Sequence, residues 1–264
     1  MARSTYISAN MTKSQMDLLL MLDEYEMDIF TLRELRDLAS ENFGDLNEII
    51  ENLVHKQLLA RIERGKYCRS NFRDEKVIGS YLVDDGVVGY WSALNLHGLT
   101  EQFPNIIFIQ TTKKKTQKSV FGVTYKFIRI TPGKRIGIKK EGYGRHSYHI
   151  TDIEKTIVDC FDLPQYSGGY AELIRAFARA KLSGEKMKNY CETVNNLAAT
   201  KRIGFLSEMI NKNGMKSFIR YAKNRVTQSY NLIDPLGPKT GLHNSEWKLR
   251  MNISQEEILD LISM

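Results

Sequence analysis

The sequence predicts an α+β chain in two parts: a small helical module closed by a hairpin, then a larger mixed α/β domain with a β-rich basic first half and a helical second half. Three observations predict it: helix-capping signals spaced along residues 12–48, a change of apolar period to two after Leu59, and a run of positive charge from residue 111. A Ser, Thr or Asp at a helix start accepts from the amide three residues on, and a Glu or Gln there reaches back, which satisfies two orphan donors together. Thr12 with Gln15, Thr31 with Glu34 and Asp45 with Glu48 fit this pattern. Behind them apolar residues recur at helical spacing: Met16, Leu19 and Leu20; Leu32, Leu35, Leu38 and Ala39; Leu46, Ile49, Ile50 and Leu53. After Leu59, Ile62 faces one way and Arg61 and Glu63 the other, and Gly65 supplies the positive φ that a tight turn at Arg64-Gly65 needs. Three short helices followed at once by a basic hairpin read as a winged helix-turn-helix. This places a nucleic-acid-binding domain at residues 1–72.

Asn71 to Val77 is polar and charged and reads as a join, with the second domain at 78–264. A helix is expected around Trp91 to His97, then strands at Ile106 to Thr112, Val120 to Thr131, Ile136 to Lys140 and Ser147 to Ile150. Pro132-Gly133 and Gly142-Tyr143-Gly144 mark turns between them. Thr151 with Glu154 forms another capping box, opening a helix whose Ile153, Ile157, Val158 and Phe161 face inward until Pro164 stops it. Helices follow at Tyr170 to Leu182, Glu185 to Ala198, Arg202 to Lys212 and Met215 to Val226. Short strands are expected near Tyr230 and Trp247, and a last helix starts at the Ser254 with Glu257 box. Trp91, Phe103, Phe161 and Trp247 read as core.

The 264 residues, 42% apolar and 26% charged, have a globular composition with room for about two domains. No stretch approaches the roughly 18 continuous apolar residues of a membrane span, and Met1 to Ser14 lacks the apolar segment of a secretory signal, so a cytoplasmic protein is expected. Cys68, Cys160 and Cys191 are odd in number and far apart, which argues against a disulfide framework and paired-cysteine zinc sites.

The net charge of +7 is unevenly spread. Residues 1–72 hold nine Lys/Arg against twelve Asp/Glu, a net of −3, whereas residues 111–149 hold eleven against Glu141 alone, a net of +10. On one face, such a segment would attract a polyanion in a salt-dependent way, because each neutralised phosphate releases counterions. The expected DNA contacts are Asn47, Asn52, His55 and Lys56 on the third helix, Arg33 on the second, and Arg61, Arg64, Lys66 and Arg69 in the hairpin. Asn reads adenine bidentately and Glu accepts from cytosine, so a helix carrying Glu48 and Glu51 can still specify sequence, while phosphate contacts fall to the basic residues. The second basic site comprises Lys113, Lys114, Lys115, Lys118, Lys126, Arg129, Lys139, Lys140 and Arg145.

Enzymatic chemistry has little support. Asp152, Glu154 and Lys155 lie in a capping box and not on a strand as a nuclease metal site would require, and His97 reads as a satisfied turn or core residue. There is no HExxH, no paired-cysteine spacing and no Gly-rich phosphate loop, so no cofactor and no metal are expected.

Gly89-Tyr90-Trp91-Ser92-Ala93-Leu94-Asn95-Leu96-His97-Gly98-Leu99-Thr100-Glu101-Gln102-Phe103-Pro104 resembles the signature that follows the winged helix in the AbiEi family, the antitoxins and transcriptional regulators of abortive-infection type IV toxin–antitoxin systems. Asp152 to Cys160 and Leu163 to Gly169 are similar to that family's central helix and following turn. Arg202-Ile203-Gly204-Phe205-Leu206-Ser207-Glu208 resembles its "RLGYLLE" helix, and Trp247 with Asn252 its closing strand. The resemblance spans essentially the whole chain. It implies an autorepressor that binds repeats in its own promoter, with dimerisation on DNA an open possibility, and a second domain that antagonises a nucleotidyltransferase-like toxin by binding it, protecting its target or modifying it. The alternative is an RNA- or protein-binding module that shields the toxin's target or binds the toxin, without operator-specific repression.

Overall fold

The computed structural model describes residues 10–39, 43–103 and 105–263. Among them are eleven α-helices and three β-sheets, an α+β chain. It divides into two compact units, Met1–Asp84 with Glu141–Tyr148, and Asp85–Lys140 with His149–Met264.

The first unit runs α1 (Lys13–Glu24), β1 (Ile29–Thr31), α2 (Leu32–Ala39), α3 (Leu46–His55), β2 (Leu59–Glu63), β3 (Lys66–Arg69) and α4 (Glu75–Leu82). The boxes at Thr12 and Thr31 close in both directions, at 3.3 Å each way for Thr12 and at 2.7 and 3.1 Å for Thr31. Asp45 accepts from the amides of Asn47 and Glu48. Gly65 has φ +74° at the turn between β2 and β3. Two features depart from expectation. The sheet has a third strand, β1, paired antiparallel with β3 in the order β1-β3-β2. The segment expected to be a polar join ends inside α4, which is capped by Asp74 and anchored by buried Val77, Ile78 and Leu82, and the compact unit runs to Asp84.

Leu18, Leu22, Phe30, Leu35, Ile50, Leu53 and Leu59 form the core of this unit. The inward face of α1 is the Gln15, Leu18, Leu22 row, and Met16 and Leu20 are 53% and 63% exposed, contrary to the expected stripe. The cause lies in the cap: the Gln15 carbonyl oxygen accepts from Thr12 N and from Lys56 Nζ, which turns this polar residue inward and rotates the adjacent apolar row outward.

The second unit contains β4 (Val87–Val88), α5 (Tyr90–Leu96), β5 (Ile106–Thr111), β6 (Lys118–Val120), β7 (Val123–Arg129), β8 (Ile138–Glu141), β9 (Tyr148–Thr151), α6 (Ile153–Asp162), α7 (Tyr170–Arg179), α8 (Gly184–Val194), α9 (Leu197–Met209), α10 (Lys216–Lys223), β10 (Asn231–Leu232), β11 (Leu242–Asn244), β12 (Leu249–Met251) and α11 (Gln255–Ser263). A six-stranded mixed sheet has the order β6-β7-β5-β4-β9-β8, and β10-β12-β11 form a small second sheet. The β8–β9 connection, residues 141–148, belongs to the first unit. Every residue of α6 from Glu154 to Phe161 is buried. Its cap is Asp152 and not Thr151: the Asp152 carboxylate accepts from Lys155 N at 2.8 Å, while Glu154 reaches the amide of Ser183 at 3.1 Å. Inside, Lys155 and Asp159 form a buried ion pair, and Gln110 Nε2 donates to Asp159 at 2.5 Å. Burial pushes the Asp159 carboxyl up from its ordinary range, opposed by the Lys155 charge.

Two glycine–tryptophan contacts set the packing of this unit. A Cβ at Gly168 would stand 2.5 Å from the Trp91 indole, and one at Gly204 would stand 2.4 Å from Trp247. Phe103, read as core, is 83% exposed, and Pro104 lies outside the described residues. The three cysteines are buried and free. Among the described residues no helix is long and apolar enough to cross a membrane.

Candidate nucleic-acid interface

On the first unit an open groove of about 720 Å³ lies between α2, the start of α3 and the β2–β3 hairpin. Its walls include Arg36, Asn47, Arg61, Arg64 and Tyr67. The period of α2 turns Leu35 and Ala39 inward, which leaves Arg33, Arg36 and Asp37 exposed. Arg36 Nη2 donates to Asn47 Oδ1 at 3.2 Å, so one guanidinium is already held beside the first exposed side chain of α3. Arg36 was not among the expected contacts. Its signal is the helical spacing from Arg33, on the face left bare by Leu35.

The other wall is a three-residue cluster. Glu51 on α3 pairs with Arg61 on β2 and accepts from the Tyr67 hydroxyl at 3.0 Å, with the Arg61 guanidinium 5.7 Å from the Tyr67 ring centre. The Glu51 hydrogen bond raises the Arg61 pKa further, and burial together with Glu51 pushes the Tyr67 phenol up, so Tyr67 stays a donor. Arg64 projects from the turn, exposed, with no ion pair among the described residues. The groove thus collects three guanidiniums and one amide, with a single carboxylate tied to one of them.

The remaining expected contacts divide. Arg33 and His55 are exposed and Asn52 is half-buried. Three expected contacts have partners inside the unit. Lys56 Nζ donates to Asn10 O at 2.6 Å and to Gln15 at 2.7 Å, joining the end of α3 to the start of α1. Lys66 Nζ donates to the carbonyls of Tyr81 and Leu82 at 2.6 and 3.1 Å, capping the C-terminal end of α4, where a cation is favoured by the helix dipole. Arg69 holds Leu19 O at 3.0 Å and pairs with Asp23.

The basic segment is not one patch. Lys118 is on β6 and Lys126 and Arg129 on β7, at one edge of the six-stranded sheet, with Lys113, Lys114 and Lys115 just after β5. Lys139 and Lys140 are exposed on β8 at the opposite edge. Arg145 belongs to the first unit, 3.9 Å from Glu34, and its neighbour His146 is hydrogen-bonded to Asp28 at 2.8 Å. Within the β7 group the aromatics and cations contact each other: Lys126 lies 4.8 Å from the Tyr166 ring centre and Lys115 5.4 Å from that of Phe127.

The residues that resemble an acid–Lys site bond to one another and to α8. The Asp152 carboxylate accepts from Lys155 N, Tyr190 OH at 2.8 Å and Lys186 Nζ at 3.3 Å, and Lys155 is consumed by Asp159. His97 Nε2 is 2.7 Å from the carbonyl of Thr151. Among the described residues no cluster of His, Cys, Asp and Glu is arranged to hold a metal ion.

No family model matches the chain, and no curated protein matches it. Among solved structures it is similar to the crystal structure of the RV2827C protein from Mycobacterium tuberculosis, with a TM-score of 0.69, 13% sequence identity, and 98% of this chain and 97% of that chain covered. The two chains share a fold over nearly their whole length.

Proposed function

We propose that the first unit is a winged helix-turn-helix that binds duplex DNA through the groove, and that the protein is the autorepressor and antitoxin of a type IV abortive-infection operon. It counteracts a nucleotidyltransferase-like toxin, in the cytoplasm, by binding the toxin, protecting its target or modifying it. The observation that carries the reading is the convergence of Arg36, Arg61 and Arg64 with Asn47 on one open groove. The element order α1, β1, α2, α3, β2, β3 is the one a winged helix requires. In this reading α3 enters the major groove and presents Asn47 and Asn52 to base edges, while the arginines contact phosphates on either side. The resemblance of the Gly89–Pro104, Asp152–Gly169, Arg202–Glu208 and Trp247–Asn252 segments to AbiEi proteins supplies the antitoxin part.

A second reading is favoured by one observation: α3 is acidic where it meets solvent, with Glu48 exposed and Glu51 half-buried. There the first unit serves assembly, and the Lys113–Lys115 and β7 edge engages RNA or the toxin. A strain carrying the toxin and an operon reporter separates the two. The leading reading expects Arg64→Ala to relieve repression with antitoxicity kept, and replacement of Lys113, Lys114 and Lys115 by Ala to weaken antitoxicity with repression kept. Loss of both functions by both folded variants contradicts this division of labour.

A further inference from the structure

A second concavity lies wholly within the second unit, in two lobes of about 630 and 690 Å³ that share residues 211–214. The C-terminal end of α7, the turn after α9, the start of α10 and Ile262 of α11 enclose it. The turn is shaped by two left-handed residues, Asn211 (φ +46°) and Gly214 (φ +77°). The charges facing it are Arg179 from α7, Lys181 from the following loop, Lys212 from the turn and Lys216 from α10, with no Asp, Glu or His in the lining. Arg179 is 3.7 Å from Glu101. Lys212 has no carboxylate partner among the described residues.

Lys212 sits half-buried at the junction of the two lobes. Its Nζ donates to the Ala178 carbonyl at 3.0 Å, at the end of α7, and lies 5.1 Å from the Phe177 ring centre. The carbonyl accounts for one of the three ammonium N–H groups and leaves two for the cleft. Burial lowers its pKa to about 8, because a desolvated ammonium without a counter-ion is costly. An anion in the cleft supplies that missing partner.

The geometry points to a phosphate-binding cleft that takes the phosphate of a nucleotide or of an RNA strand, with Lys212 as its inner contact and Lys181 and Lys216 at its rim. This site is separate from the groove on the first unit and stands whether or not that groove binds DNA.

The test is calorimetry on the full-length protein with ATP and with a short single-stranded RNA, each in two buffers of different ionisation enthalpy. At pH 8 binding takes up about half a proton, because the anion draws Lys212 to its charged form. Above pH 8 affinity falls about tenfold per unit as that proton must be supplied. Lys212→Met abolishes binding, and Lys181→Ala with Lys216→Ala weakens it several-fold. Preference for ATP identifies a free nucleotide, and preference for RNA a strand. If Lys212→Met fails to fold, the wild-type proton uptake carries the test alone. Absence of binding by both probes at millimolar concentration, or binding without proton uptake and equal in Lys212→Met, overturns the proposal.

Discussion

Gly204→Ala tests the packing of the second unit most sharply. All of α9 from Ala199 to Ser207 is buried, and a Cβ at position 204 would stand 2.4 Å from two atoms of the Trp247 indole and 2.8 Å from Ala222 Cβ. Alanine is favoured over glycine in a helix interior by about 1 kcal/mol, so the substitution carries one stabilising term. Against it, the indole is 1% exposed and its Nε1 donates to Glu208 at 2.8 Å. The ring must move by about 1 Å to reach ordinary contact, which strains the core by about 1–3 kcal/mol and weakens a hydrogen bond to a charged acceptor, of the class contributing about 1.5–3 kcal/mol. The net expectation is a loss of about 2–4 kcal/mol. Both tryptophans lie in the second unit, so urea unfolding followed by tryptophan fluorescence reads that unit directly. In a Trp247→Leu background, where the indole is gone, Gly204→Ala becomes neutral or stabilising, a strong departure from additivity. A midpoint in the single variant equal to or above the wild type refutes the reasoning.

Two further substitutions separate scaffold from interface. Lys66→Ala removes the cation that caps α4 and costs about 1–2 kcal/mol of stability, while the affinity of the folded protein for its upstream DNA is unchanged; chemical denaturation and fluorescence anisotropy read the two effects. Glu51→Gln releases Arg61 and removes a carboxylate from the groove. Because the pair is exposed, stability changes by at most about 1 kcal/mol, while DNA affinity at low salt rises several-fold and sequence discrimination falls, read by anisotropy with matched and scrambled duplexes.

What the sequence disclosed follows from the range of each interaction. The Thr12 and Thr31 boxes and the Gly65 turn depend on residues within a few positions, and they form as spacing and chirality require. The inward row of α1 escaped because residues 18–22 are all apolar, so periodicity gives two candidate stripes, and the choice is made by Lys56 reaching Gln15 from the far end of α3. β1 is three residues long, too short to show an alternation, and becomes a strand only by pairing with β3. Charge behaved in the same way. The hydrogen bonds of Lys66 to the end of α4 are invisible to a reading that ends the first domain at residue 72, and the basic segment is continuous in sequence although β6 and β8 stand at opposite edges of one sheet. Arg36 joined the groove through Asn47, a contact across two helices.

The most direct test of the account is the salt dependence of binding between full-length protein and the duplex upstream of its gene. Each phosphate neutralised contributes about −0.9 to the slope of log affinity against log salt. The account predicts binding that weakens steeply with salt, and a slope shallower by about 1 unit in Arg64→Ala and again in Arg36→Ala. No binding at low ionic strength, or wild-type slopes in both variants, contradicts it.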